Sequence, residues 1–415
     1  MNLIPDCLKE EIQEYARLIV RTGANVQEGQ EVILNVPVEA HEFAAILAEE
    51  CYKAGAKEVI PAWKDTGFNR VHLEYASPEV LGTVPAWKAA SKNEYALRGG
   101  AVISITGEDP EAYKGVDPKR MQIWAKANDE AFKPFNDKMM SSEMPWTVAA
   151  VPMKKWTEKV YPELPEEDGV EKLWRSILDA VRVTGGNAVE KWAKHEQVLR
   201  AHCDWMNAQR FVKLHYTNSL GTDFTVGLVR GHIWEGGSEA CASGARFQAN
   251  LPTEEIFTMP DRRVAEGTLV AAIPLSYSGN LIENFSLTFH EGKVVEYHAE
   301  FGEETLKQIL ESDEGSLHLG EVALVPATSP IRQTGILFYN TLFDENAACH
   351  FALGECYPTT VEGGAAMSEE ELAAVGGNDS MNHVDFMVGT DDLKIVGIQE
   401  DGTEVVVFEN GVFAQ

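Results

Sequence analysis

The sequence predicts an α/β chain in two parts: an N-terminal α/β domain with a mainly parallel sheet over residues 1–205, then a β-dominated α+β C-terminal domain over residues 206–415. Three observations carry this expectation. In the first half, short apolar runs alternate with segments of helical period. Near Phe211 the pattern changes to strand-like runs separated by Gly-rich turns. The length of 415 residues suits two domains with sizeable cores.

The elements follow in chain order. Leu8, Ile12, Tyr15, Ala16 and Ile19 form one stripe of an amphipathic first helix. EVILNV (31–36) reads as a buried strand, followed by a helix from about Glu39 to Ala54 that Gly55 stops, and then by the strand EVIPAW. That is a βαβ unit. AVISIT (101–106) and WTVAAV (146–151) are further strands, with KRMQIWAKANDEAFKPF helical between them and a helix-rich span from Gly169 to Arg210 after them. Alternating strands and helices mean a parallel sheet. FVKLHYTNSLGTDFTVGL reads as a hairpin turning at 218–221, and TLVAAIPL, NFSLTFHEGKVVEYHAEF, EVALVP and LKIVGIQEDGTEVVVFENGVF continue as strands. Helices in this half are expected near 303–311, 344–353 and 368–375.

Composition excludes several classes. Against 35 Lys and Arg stand 65 Asp and Glu, a formal charge of −30. Such a surface cannot displace counterions from nucleic acid or dock on anionic lipid. It would weakly attract the ammonium group of a peptide N-terminus, with salt screening much of the effect. The N-terminus lacks a signal-peptide pattern, and no apolar run approaches the ~20 residues that span a bilayer. Six scattered cysteines, without a C-x-x-C pair, suggest neither a disulfide framework nor a thiolate zinc site, which fits a cytoplasmic protein. No G-x-G-x-x-G follows the first strand, so nucleotide binding has no support.

Ligand-type side chains concentrate between Glu254 and Asp385. In MNHVDFMV the period of two puts His383 and Asp385 on one face of a strand, with Val384, Phe386 and Val388 on the other. An imidazole and a carboxylate so placed suit Zn, Mn, Co or Fe better than a thiolate-seeking metal. Glu321 enters the apolar strand EVALV, where an ionised carboxylate needs a cation, either a metal or Arg332. NAACHFALG reads as an apolar helix opened by Asp344 as N-cap, which puts Glu345 about 140° around the axis from His350. Gly354 is expected to break that helix and turn Tyr357 back toward the ligands. Cys349, next to His350, is read as a small core residue rather than a nucleophile. His215, His290, His298 and His318 are read as structural, and Arg246 as holding either a substrate carboxylate or a loop.

NLPTEEIFT, LGEVALV, DENAACHFALGECY and HVDF, in that order, resemble the aminopeptidase T, aminopeptidase S and PepS family of metallopeptidases. The similarity covers the whole C-terminal half, and the first half is compatible in length and pattern. The resemblance implies a cytoplasmic homodimeric exopeptidase that removes the N-terminal residue from peptides with a free N-terminus. Two divalent metal ions per chain are implied, drawn from Zn, Co, Mn or Mg. Carried over by position, the metal ligands are Glu255, Glu321, His350, His383 and Asp385, with Glu345 as a further ligand and Tyr357 as a catalytic residue. The choice of Glu255 over Glu254 rests on the resemblance alone, and Glu254 is a candidate general base only as a neighbour of a ligand. Glu321 would bridge the ions and Tyr357 would donate to the developing oxyanion. The ligand set alone would equally serve another two-metal hydrolase, such as an amidase or phosphoesterase, or a non-catalytic metal-binding protein.

Overall fold

The computed structural model describes residues 3–277 and 279–415. Its contacts divide the chain into two compact units, one running to Lys194 and taking in Ser238–Pro252, the other comprising His195–Gly237 and Thr253–Gln415.

The first unit is built on a parallel four-stranded sheet ordered Glu58–Lys64, Glu31–Pro37, Ala101–Thr106, Trp146–Ala150. These are the four strands that the apolar runs predict. Helix Lys9–Leu18 buries Ile12, Tyr15 and Ala16 of the expected stripe, and helix His41–Lys53 buries Phe43 and Leu47. Tyr15, Phe43 and Trp174 pack ring to ring with centroids about 6 Å apart, and the Trp174 indole donates to the Leu3 carbonyl at 2.6 Å. Gly55, at φ +101°, supplies the left-handed turn that ends the second helix. Arg246 holds a loop: its Nε donates to Ser238 Oγ at 2.9 Å.

The second unit layers a nine-stranded antiparallel sheet against a four-stranded one. Lys213–Thr217 and Asp223–Leu228 form the expected hairpin within the large sheet. The run TLVAAIPL is interrupted: one strand ends at Val270 and the next starts at Leu275, after Pro274, which has no N–H to donate. Between the layers lies a continuous apolar core. Phe351 of the small sheet touches Tyr216 and Phe224 of the large one at 5.1 and 5.4 Å between centroids. Burying one such ring contributes about 1.5–3 kcal/mol, so these contacts fix the small sheet firmly on its apolar side. Its other side is left for polar side chains.

The small sheet is ordered His383–Met387, His350–Gly354, Leu319–Leu324, Ile256–Thr258, all antiparallel. Here the expected helix over 344–353 is corrected. Thr341–Asp344 and Glu345–Ala347 form only short turns, and His350–Gly354 is a central strand bonded on both edges. Asp344 accordingly caps no following helix, and its carboxylate accepts from the Phe338 and Asn340 N–H groups at 2.8 and 2.9 Å. A run buried on both faces loses its alternation and cannot be told from a helix by period. Gly354, at φ +106°, ends a strand rather than a helix. The helix expected at 368–375 is present as Glu369–Val375, with Ser368 and Glu371 closing a capping box.

Candidate metal centre

Side chains paired across a sheet project to the same side. Ala352 pairs with Glu321 on one neighbouring strand and with Asp385 on the other. His350 pairs with Ala323 and Met387, Gly354 pairs with His383, and Ala323 pairs with Phe257. Glu255 lies two residues before Phe257. One face thus carries Glu255, Glu321, His350, His383 and Asp385 around the small residues Ala323, Ala352 and Gly354. The opposite face, with Ile256, Val322, Leu324, Phe351, Leu353, Val384 and Phe386, is core.

The donor atoms converge in two groups that share one residue: Glu255, Glu321 and His350, and Glu321, His383 and Asp385. His350 Nε2 lies 3.1 Å from Glu255 Oε2 and 3.6 Å from Glu321 Oε1. His383 Nε2 lies 3.2 Å from Glu321 Oε2 and 3.3 Å from Asp385 Oδ1. The two oxygens of Glu321 therefore face different imidazoles. Both imidazoles donate Nδ1–H to a backbone carbonyl, His350 to Ala348 at 3.1 Å and His383 to Glu355 at 2.8 Å. That bond selects the tautomer whose Nε2 carries the lone pair a cation needs.

These residues fit a divalent metal. Donors sharing one first-row cation at bonds of about 2.0–2.2 Å stand roughly 2.8–3.6 Å apart, the range found here. Among the described residues, Glu255 Oε2 has no aligned hydrogen-bond donor although His350 Nε2 is near. Charge points the same way. Burial raises Glu255 above the ordinary carboxylate range against the pull of His350, and burial with the facing Glu255 and Asp385 drives Glu345 well above it. Burial opposes charge on His383, but Asp385 and Glu321 prevail and lift it to about 11; Glu255 and Glu321 likewise raise His350. Glu321 feels the same burial, and its two imidazoles still bring it down to about 2. A buried cluster of carboxylates needs compensating positive charge. Arg332 does not supply it, being paired instead with Asp391 at 2.9 Å and with the Gly389 carbonyl at 3.0 Å. The three carboxylates and two imidazoles of these groups are a donor set that suits divalent cations.

The remaining candidates sort by position. Glu345 stands in the turn before the His350 strand, outside both three-residue groups, and lines a water-sized cavity with Asp385, Met387 and Thr341. Glu254 also lies outside both groups, with His195 Nε2 3.7 Å from its carboxylate. The Tyr357 ring sits 4.9 Å from the His383 ring and 5.7 Å from Phe257, centroid to centroid. Among the described residues nothing hydrogen-bonds its hydroxyl. Burial, then Glu321 and Asp385, raise its pKa well above the ordinary phenol range. Cys349 is core: its Sγ exchanges hydrogen bonds with the Val325 backbone at 3.3 Å, and burial pushes the thiol up to about 12. His215, His290, His298 and His318 each bond a local partner away from the centre. Sequence reasoning missed Phe257, the ring beneath Tyr357, and the carbonyls of Ala348 and Glu355. The alternation Glu255-Ile256-Phe257 was the only available signal for the first.

Comparison with known proteins places the chain. The thermophilic metalloprotease (M29) family matches residues 8–413. Aminopeptidase AmpS of Bacillus subtilis (strain 168) is 42% identical over 409 residues, which is 99% of this chain and 100% of that protein. The structure of wild-type AmpT from Thermus thermophilus superposes with a TM-score of 0.91 at 38% identity, covering 98% of this chain and 100% of that one. A 2,5-dihydroxypyridine dioxygenase from Pseudomonas putida KT2440 shares the fold at a TM-score of 0.52, 13% identity and coverage of 99% and 98%, so the fold alone does not name the reaction. Similarity at this level along nearly its whole length makes the chain a member of the thermophilic metalloprotease (M29) family, a metal-dependent aminopeptidase.

Proposed function

We propose that the chain removes N-terminal residues from peptides with two divalent cations, one held by Glu255 and His350, the other by His383 and Asp385, with Glu321 shared between them. The observation carrying this reading is the sharing itself, since the two Glu321 oxygens face separate imidazoles. Glu345 adds its carboxylate from the adjoining turn, supported by its electrostatic proximity to Glu255, Asp385 and Glu321.

When bound, such ions acidify water and polarise the scissile carbonyl. The chain's own residues do the rest. The net charge of −30 weakly attracts the free ammonium of the substrate. The Tyr357 hydroxyl, which no described residue engages, donates to the oxygen of the scissile carbonyl as charge develops there. The apolar underside of the small sheet keeps the donors from relaxing apart.

The imidazole and carboxylate donors favour zinc or cobalt, with manganese and magnesium as weaker occupants. The family resemblance and the scattered free cysteines support a cytoplasmic setting, and the resemblance alone supports a homodimer. Among the described residues no helix is long and apolar enough to cross a membrane. The test is metal content against activity: chelated protein titrated with zinc or cobalt should regain leucine p-nitroanilide hydrolysis as two equivalents bind. Full activity with one equivalent would overturn the two-metal reading. Light scattering reports the dimer, and a 45.8 kDa particle at micromolar concentration would remove it.

A further inference from the structure

Behind His383 stands a hydrogen-bonded clasp that touches none of the ligand atoms. The Glu355 carbonyl that receives His383 Nδ1–H is itself held from two sides. The Glu355 N–H donates to the Asn382 carbonyl at 2.7 Å, and its carboxylate accepts from the Ser380 N–H at 2.6 Å. Asn378, 1% exposed, donates Nδ2–H to the Gly354 carbonyl at 2.5 Å and to the Gly315 carbonyl at 2.8 Å. A Cβ at Gly354 would overlap the Asn382 carbonyl, and one at Gly320 would overlap the carbonyls of Glu355 and Gly354. Only glycines allow this approach.

One side chain ties the clasp together. Asp313 Oδ1 accepts from the Ser316 N–H at 2.7 Å and the Ser316 hydroxyl at 2.8 Å, and Oδ2 accepts from the Met381 N–H at 2.6 Å. The Ser380 hydroxyl lies 2.8 and 3.1 Å from the two oxygens and in turn accepts from the Asn382 N–H at 3.1 Å. Asn382 Nδ2–H donates to Ser316 Oγ at 3.0 Å. Asp313 so binds the turn 315–317 to the segment 380–382, which leads directly into His383. A carboxylate gathering backbone and hydroxyl donors in this way fixes loop position, because each donor would be left unsatisfied by movement.

We infer that Asp313 is a positioning residue for the cation site formed by Glu321, His383 and Asp385: through Ser380 and Asn382 it sets the Glu355 carbonyl against His383 Nδ1 and keeps Nε2 aimed at the cation. This rests on the ligand assignment proposed above. The other site provides an internal control, because His350 Nδ1–H is held by the Ala348 carbonyl, outside the clasp. Loss of such outer support typically costs about 10–100-fold in metal affinity. The effect of Asp313 should therefore fall on one of the two cation equivalents.

The experiment uses the full chain, stripped by chelation and titrated with zinc chloride alone in a calorimeter. Asp313→Ala, Asp313→Asn, Ser380→Ala and His383→Ala are compared with the unmodified protein. In Asp313→Ala, one equivalent should weaken by about 10–100-fold while the other keeps its affinity. Activity at limiting zinc should fall through kcat with KM unchanged, and excess zinc should restore it. Ser380→Ala should do the same to a smaller degree and decides the matter if Asp313→Ala fails to fold. Unchanged affinity for both equivalents, or equal weakening of both together with a lowered melting temperature, would overturn the inference. His383→Ala separates the two levels of argument. If it retains both equivalents, the ligand assignment fails; if it loses one while the Asp313 and Ser380 variants keep both, only the role of Asp313 fails.

Discussion

Glu321 and Asp385 stand in one register row on either side of Ala352, so the methyl group of Ala352 lies between the two carboxylates. Ala352 is itself fully buried. A larger side chain there would crowd the two carboxylates. Ala352→Val is therefore expected to bind less metal and to lose activity, at a cost in stability of about 1–3 kcal/mol from overpacking. Metal analysis of the purified variant, with circular dichroism as the check on folding, measures this. Two retained equivalents would show that the cations do not sit over Ala352.

Glu321 and Asp385 should differ when removed singly. Glu321→Gln takes away the charge facing both imidazoles and is expected to empty both sites. Asp385→Ala strips only the His383 side and should leave one equivalent, with turnover abolished. The stoichiometries, two against one lost, are read directly from metal content after dialysis.

Tyr357→Phe keeps the ring against Phe257 and His383 and removes only the hydroxyl. Loss of one oxyanion donor costs about 2.7–4 kcal/mol, roughly 10²–10³ in kcat. A fall of that size is expected, with KM and metal content near those of the parent. A loss of metal instead would make Tyr357 a ligand, and an unchanged kcat would make it packing.

Acidity should act oppositely on the metal-free and metal-loaded forms. In the chelated protein, His383 raised to about 11 contributes stability that is complete below the ordinary imidazole value and is lost as pH rises toward 11. Glu321, lowered to about 2, contributes stability present above the ordinary carboxylate range and lost as pH falls toward 2. Metal binding must displace the imidazole protons, so affinity rises with pH. The gap in melting temperature between loaded and chelated protein should therefore widen from pH 5 to pH 8. A gap that narrows would contradict the assignment of the histidines.

Much of this architecture was legible because its pattern is local. Each strand of the parallel sheet is a short apolar run between turn residues, and HVDF alternates cleanly because only its Val384 and Phe386 side is core. The strand at His350 was illegible for the converse reason. Neighbours on both edges and burial of all five residues erase the period, and Ala352 and Leu353 are good helix formers. The carbonyls of Ala348 and Glu355 were beyond reach in another sense. Every residue has a carbonyl, so no letter marks the one that selects a tautomer. Asp313 reads in sequence as one more acid among 65.

The order of the small sheet has a consequence for how the enzyme comes into being. The His383–Met387 strand lies at its edge, bonded within that sheet only to His350–Gly354, and is the last of the four to be synthesised. A chain emerging from the ribosome can close Glu255, Glu321 and His350 into a group before the remaining donors exist. Completion waits for a partner more than a hundred residues downstream of Glu255, a slow, long-range step in folding. Any chemistry that needs the His383 imidazole and the Asp385 carboxylate therefore waits on the pairing of that edge strand.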